Sequence, residues 1–482
     1  MAEVSNIKGF TIFFIVSFFL LCLRLVYLFS EPYGIFFDEA QYWTWSKDFA
    51  FGYFSKPPII AWLIAFTTDF CGDKTACVRL SATFCHFIAG LFVYLTARRL
   101  YTEKTGFWAG ILYLTLPGIS ASSYFISADA PLMMFWAASL YFFVKAIVDR
   151  NFIYWILLGI CAGLGMMSKY TMIMFFASAF LYMLFSPSFR KLIFSPATIF
   201  TSLLSLAIFA PNLYWNLQND FISFRHTGDN VFSYGFSLYP DKMFEFIGAQ
   251  FAVFGPVSFI ALLIFFIRKK KICESEDEKM LVSFTYTLLF IAFAVALISG
   301  AQAHWAAPAY IAGSILLARV FVKKGQIRIL TNIIGFNIAL GLLFYHYADL
   351  SQRVSMPSDP FVRVAIWNGI APKAYENLTK YPNRYIMTDE RKSVATLMYN
   401  LRDRDGEPYP IVKWRRDDYV RDHYDMTTNL ESYKGKNFIF ITRSGDISDI
   451  KKYFSSTQTI DSINSSGKKF TYYLLDNYRG RK

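Results

Sequence analysis

Charge is scarce in this chain. Asp, Glu, Lys and Arg make up 17% of its 482 residues, against 55% hydrophobic and 19% aromatic. A water-soluble protein of this length would need far more polar surface, so an ordinary soluble fold is excluded. Metal-ligating side chains are also few. The 5 histidines and 6 cysteines show no spacing of a structural zinc site. Cys22, Cys85 and Cys161 lie in apolar runs and read as packing residues. Cys71 and Cys77 share one loop, where a disulfide is open to an oxidising compartment. No small-residue cleavage site follows the first apolar run, 10–29, so an uncleaved signal anchor is expected there. Basic residues are missing from alternate connections: 125–128 and 300–302 contain none.

What is present is a series of long apolar runs. They fall at 10–29, 79–98, 106–124, 129–147, 152–168, 170–186, 196–215, 245–267, 280–299, 303–321 and 328–347. These predict a polytopic α-helical membrane protein with about eleven transmembrane helices. With Lys8 inside, the inner turns carry Arg98, Arg99 and Lys104; Lys145 and Arg150; Arg190 and Lys191; Arg268 to Lys271; and Lys323, Lys324 and Arg328. Positive-inside bias therefore explains the net charge of +13, and no nucleic-acid partner is expected. The polar features that need explaining fall on the outer side: Asp38, Glu39, Lys56, Asp129, Lys169, His226, Gln302 and His304. An inner face bare of such groups argues against a symmetric transport pathway. So does the expectation of no ionisable residue at mid-span and no repeat symmetry. A lipid-linked-sugar transporter or flippase is the non-enzymatic alternative.

The stretch 38–58 is the densest. It carries the acid pair Asp38-Glu39, an aromatic belt and Lys56 directly before Pro57-Pro58. If 38–49 is helical, Asp38, Tyr42, Trp45 and Phe49 share one face of a helix lying on the membrane. Pro57-Pro58 pre-set the first turn of a further helix, 59–70, too short to span. Free N–H groups at its start, with Lys56 beside them, suit an anion such as phosphate. The plainer readings are an N-cap with a first-turn acid, and an interfacial lysine that snorkels. After about residue 347 the chain turns polar. Alternation at 384–387, 409–413, 437–442 and 470–475, with helical periodicity at 390–401, predicts a small external α/β domain. The expected domains are thus 1–347, with a first external loop at 30–78, and 348–482.

An outer-face carboxylate, a lysine at a helix start and a membrane-level aromatic belt suit attack on a sugar whose leaving group is a lipid phosphate. Several motifs also resemble a known family. Asp38-Glu39, the aromatic-Ser-Lys56-Pro-Pro run, Arg79, Ser127-Ala-Asp129-Ala-Pro131 and His304-Trp-Ala-Ala-Pro-Ala-Tyr310 resemble the bacterial protein-mannosyltransferase-like branch of the GT-C glycosyltransferases. Lipid A aminoarabinose transferase and the lipopolysaccharide core galacturonosyltransferases are members. The resemblance implies a GT-C fold and an inverting transfer from a polyprenyl-phosphate sugar. The acceptor would be lipid A, lipopolysaccharide core or another envelope glycolipid, on the periplasmic face of the inner membrane. It implies Asp38 as base or acceptor-orienting acid, with Glu39 beside it, and Lys56 as the donor-phosphate ligand. Arg79 and Asp129 match further active-site positions; Arg79 and Lys169 join Lys56 as donor-phosphate candidates, and Tyr42, His226, Gln302 and His304 complete the candidates. The resemblance leaves a divalent metal open and makes no cofactor certain: some relatives carry an acid directly before the lysine that helps hold a metal, where this chain has Ser55. Protein O-mannosylation is the alternative enzymatic reading.

Overall fold

The computed structural model describes residues 2–30, 34–231, 237–268, 274–347, 350, 364, 366–367, 369–417 and 419–481, with side chains from residue 9 onward. In chain order the helices are α1 (Ala2–Phe29), α2 (Phe37–Ser46), α3 (Ile59–Cys71), α4 (Thr75–Leu100), α5 (Glu103–Thr115), α6 (Pro117–Tyr124), α7 (Asp129–Asp149) and α8 (Phe152–Ser168). There follow α9 (Ile173–Phe185), α10 (Pro196–Gln218), α11 (Ile222–Val231), α12 (Pro240–Phe254), α13 (Pro256–Ile267), α14 (Glu276–Ser299), α15 (Ala309–Lys323) and α16 (Ile327–Tyr345). The chain divides into two compact units. One comprises Met1–Phe29, Lys56–Ile60 and Arg79–His346; the other comprises Ser30–Ser55, Ala61–Val78 and Tyr347–Lys482.

The first unit is helical and apolar, and the chain is a multi-pass membrane protein. Among the described residues, six helices are long and apolar enough to cross a membrane: Gly9–Phe29 within α1, then α4, α7, α10, α14 and α16. The pair α12–α13 makes a seventh if counted as one span, bent by 116°. Ile59–Cys71, Phe152–Ser168 and Tyr170–Phe185 are shorter apolar helices. The sequence reading of about eleven spans counted length and hydropathy alone; its runs 152–168 and 170–186 fold as the shorter apolar helices, and local breaks interrupt three others. The run 106–124 divides because Leu116, before Pro117, takes an extended ψ of 137°. The run 245–267 bends at Gly255, whose φ is +86° and whose added Cβ would lie 2.3 Å from Asn337 Oδ1. The run 303–321 starts as a 3-10 turn, Ala303–Ala306, before α15.

Among the described residues, ionisable groups do lie inside spans, Arg24 and His86 among them, contrary to the sequence expectation, because a hydropathy window averages over single charges. Arg24 on α1 donates to Leu114 O. His86 on α4 is fully buried between Tyr113 Oη at 3.1 Å and Ser122 Oγ at 2.9 Å. Both are satisfied by protein groups, as buried polar atoms in a membrane must be. Elsewhere the unit packs by close approach and by aromatic contact. A Cβ on Gly163 would stand 2.8 Å from Ile208 Cβ, so glycine lets α8 meet α10. Trp136, Phe175 and Phe284 meet ring on ring at 5.4 and 5.0 Å.

The second unit centres on a five-stranded sheet: β1 (Tyr385–Thr388), β2 (Ile411–Lys413), β3 (Phe438–Thr442), β4 (Ser456–Ser465) and β5 (Lys468–Asp476), in the order β2-β1-β3-β5-β4. β1 runs parallel to β2 and β3, and β5 antiparallel to β3 and β4. Met387, Val412, Trp414, Phe438, Phe440 and Leu475 form part of its core. The sequence reading missed β4, an edge strand without a buried face and so without apolar alternation. It also missed the helices Ile370–Lys380 and His423–Thr427. α2 packs on the helix Arg391–Asn400 within this unit. Phe49 leaves the proposed face, because α2 ends at Ser46 with Lys47 as its C-cap; its ring stacks on Trp62 at 5.1 Å instead. Cys71 and Cys77 are joined as a disulfide.

Candidate functional site

Each unit gathers part of the candidate chemistry. In the first, Ser127-Ala-Asp129-Ala-Pro131 opens α7. Ser127 Oγ accepts from Asp129 N at 3.3 Å, and Pro131 sits in the first turn, where no N–H is needed. Lys169 occupies the break between α8 and the 3-10 turn Tyr170–Met172, with extended backbone at φ −160°, ψ 136°. That break sends its side chain to Asp129: Lys169 Nζ lies 2.7 Å from Asp129 Oδ1, and both residues are buried. His304, from the turn Ala303–Ala306, brings Nε2 to 3.7 Å from Asp129 Oδ2. Lys56 lies within electrostatic reach of Asp129 and His304.

The sequence therefore named four groups that the fold assembles: Lys56, Asp129, Lys169 and His304. Lys169 beside Asp129, with Lys56 within electrostatic reach, brings two ammonium groups toward one place, an arrangement that can meet the charge of an anion. Buried Gln250 supports the arrangement. Its Nε2 donates to Ala303 O at 3.2 Å, and its Oε1 accepts from Tyr310 Oη at 2.7 Å. Sequence reasoning missed Gln250, which looks like any polar residue in an apolar helix. Arg79 meets two aromatic rings. It is fully buried, with its guanidinium 4.7 Å from the Tyr124 ring and 4.8 Å from the Phe125 ring. His226 lies on α11 with its Nδ1 3.2 Å from Asn230 Nδ2. Gln302 is exposed and precedes the His304 turn as its N-cap residue.

In the second unit, Asp38 and Glu39 part company despite adjacency. Glu39 is buried, and its Oε2 accepts from Phe36 N at 2.9 Å, closing the helix start. Asp38 keeps 35% of its side chain exposed and pairs with Arg391, Nη1 to Oδ1 at 2.9 Å. Tyr42 packs against Trp45 at 5.1 Å between rings. Arg391 stands 353 positions along the chain from Asp38, and nothing in the local sequence signals the pairing.

A helical bundle with a small sheet unit, an anion-suited cluster on broken helices and a first-loop carboxylate defines a GT-C type membrane glycosyltransferase. Comparison with known proteins agrees. The family model described as dolichyl-phosphate-mannose-protein mannosyltransferase matches residues 55–215, the stretch that holds Lys56, Arg79, Asp129 and Lys169. The lipid A galacturonosyltransferase RgtD of Rhizobium johnstonii is 31% identical over 383 residues, 79% of this chain and 80% of that one. The undecaprenyl phosphate-alpha-4-amino-4-deoxy-L-arabinose arabinosyl transferase of Pseudomonas aeruginosa is 30% identical over 123 residues, 24% of this chain and 22% of that one. ArnT from Cupriavidus metallidurans, solved bound to undecaprenyl phosphate, shares the fold with a TM-score of 0.66 at 12% identity, over 96% of this chain and 97% of that one. The chain belongs to the bacterial protein-mannosyltransferase-like branch of the GT-C glycosyltransferases.

Proposed function

We propose that this glycosyltransferase moves a sugar from a polyprenyl phosphate to lipid A or a related envelope glycolipid, on the periplasmic face of the inner membrane. The single observation that carries the reading is the relation to a lipid A galacturonosyltransferase over four-fifths of both chains. It makes galacturonic acid the first sugar to test. The printed name of the arabinosyl relative supports the polyprenyl-phosphate donor.

In the transfer, an acceptor oxygen attacks the anomeric carbon as the bond from that carbon to the phosphate oxygen breaks, with inversion. The bonding pair leaves with the phosphate, so negative charge grows there. Lys56 and Lys169 are assigned to hold that charge. Asp129, which His304 approaches at its other oxygen, holds Lys169 in place. Asp38 is assigned to take or orient the acceptor's proton. Residues 1–347 form the catalytic membrane domain in this reading, and 348–482 a periplasmic domain.

Lipid mass spectrometry of a deletion strain tests the proposal. The expected result is loss of one sugar from lipid A or core, restored by the wild-type gene. Unchanged envelope lipids would overturn the acceptor assignment. The protein-mannosyltransferase description of the matched family model favours a second reading, transfer to Ser or Thr of a protein. Sugar transfer to a peptide and none to lipid A by purified enzyme would establish that reading instead.

A further inference from the structure

The exposed carboxylate of the first loop is held from the far end of the chain. Arg391 is the first residue of the helix Arg391–Asn400, which follows β1. Its Nη1 donates to Asp38 Oδ1 at 2.9 Å and also to Gln41 Oε1. Asp38 and Gln41 are three apart on α2, so they share a face, and one guanidinium spans both. The Phe37 ring lies beneath the same group, 5.4 Å from its centre. Burial works against the charge of Arg391, and the Asp38 carboxylate, with Tyr42 and Asp422, offsets it, raising the arginine pKa.

A second polar tie holds α2 further along. Thr44 Oγ1 and Tyr424 Oη are 3.0 Å apart. Tyr424 is fixed in turn by Asp422, whose Oδ1 accepts from Tyr424 N at 3.0 Å. Buried Lys413 anchors Asp422 at 2.7 Å and Asp425 at 3.1 Å. The helix is thus already fastened without Arg391. The side chains of Asp38 and Arg391 are 35% and 31% exposed, so water screens the pair in part and its net contribution to stability is modest. What the pair does supply is direction: it restricts the rotamers of an otherwise mobile carboxylate and engages one of its two oxygens.

We propose that Arg391 is a positioning residue for Asp38, its guanidinium holding that carboxylate, together with Gln41, in the orientation that acts on the acceptor. The proposal rests on the reading of Asp38 as the acceptor-directed acid. Arg391 itself touches neither substrate nor leaving group in this scheme. A geometric role for it predicts a loss in turnover without a loss in donor affinity, because misplacing a reacting group by an ångström can cost roughly 10²-fold.

The test uses purified full-length enzyme with a polyprenyl-phosphate sugar and lipid A. Steady-state kinetics are measured for Asp38→Asn, Arg391→Ala, Arg391→Lys and the double variant Asp38→Asn/Arg391→Ala. Arg391→Ala is expected to lower kcat by about 10–100-fold, leaving the donor KM within about 2-fold. Arg391→Lys should recover part of that loss, as should added guanidinium ion with Arg391→Ala protein. In the Asp38→Asn background the second change should cost nothing further, since the partner it acts through is gone. Wild-type kcat in Arg391→Ala overturns the proposal. So does a full multiplicative loss in the double variant, which would give Arg391 a role of its own. Should Arg391→Ala fail to fold, Arg391→Gln is read in its place by the same criteria. Full activity in Asp38→Asn alone would instead sink the reading of Asp38, whatever Arg391 does.

Discussion

Lys169 and Lys56 carry the same charge and are expected to respond differently to removal. Lys169 is buried against Asp129 at 2.7 Å, so Lys169→Met strands a buried carboxylate. The expected cost is about 3–5 kcal/mol of stability. The double variant Lys169→Met/Asp129→Leu should regain most of it, because no charge is then left uncompensated. Thermal unfolding in detergent reads the stability, and donor turnover reads the function. A stable but inactive double variant supports a phosphate role for Lys169; a stable, active one would make the pair purely structural. Lys56 is half-buried. Lys56→Ala should leave the melting temperature nearly unchanged while weakening donor use by about 2–5 kcal/mol. Unaltered donor turnover would remove Lys56 from the phosphate site.

At the scale of elements, two of the proposed site residues, Lys169 and His304, lie where helices break. Pro117, Gly255, Lys169 and the turn Ala303–Ala306 each interrupt an apolar run. A continuous helix would keep its backbone groups paired internally and turn its side chains toward packed neighbours or lipid. The break before α15 exposes His304 to Asp129, and Gln250 on α12 holds that break by its bond to Ala303 O. Gln250→Leu is therefore expected to leave Tyr310 Oη without its acceptor and to take one donor from Ala303 O, at about 1–3 kcal/mol. It should also reduce turnover by loosening the turn that carries His304. Equal activity and equal melting temperature for variant and wild type would refute the support role.

At the scale of the whole molecule, two predictions concern the second unit. His423 lies against the rings of Trp45 and Tyr53, at 5.5 and 6.2 Å. Burial holds its pKa down, from 6.5 to about 4. The unfolded chain then binds a proton that the folded chain refuses, over the window between those values. Its contribution to stability is present above pH 6.5 and lost as pH falls toward 4. The melting temperature of wild type should fall faster than that of His423→Gln between pH 7 and pH 4, and parallel curves would rule the group out. The second prediction is topological. A reporter active only in the periplasm, fused after Asp349, is expected to be active. Activity of a cytoplasm-only reporter at that point would reverse the orientation.

The sequence alone determined the class and most of the elements. Apolar runs long enough to bury a whole helix surface leave their mark residue by residue, so α8 and α7 begin where hydropathy placed them, at Phe152 and Asp129. Motif residues close in sequence, such as Ser127-Ala-Asp129-Ala-Pro131, were legible for the same reason. Tertiary structure decided what depends on partners distant in the chain. It separated Glu39, turned back to Phe36 N, from Asp38, turned to Arg391. It placed Arg79 against two rings, and it bound Lys169 to Asp129 across 40 positions. Hydropathy and periodicity are properties of one segment; an ion pair or a ring contact is a property of two. Only packing, which brings separated segments within a few ångströms, selects which charges meet.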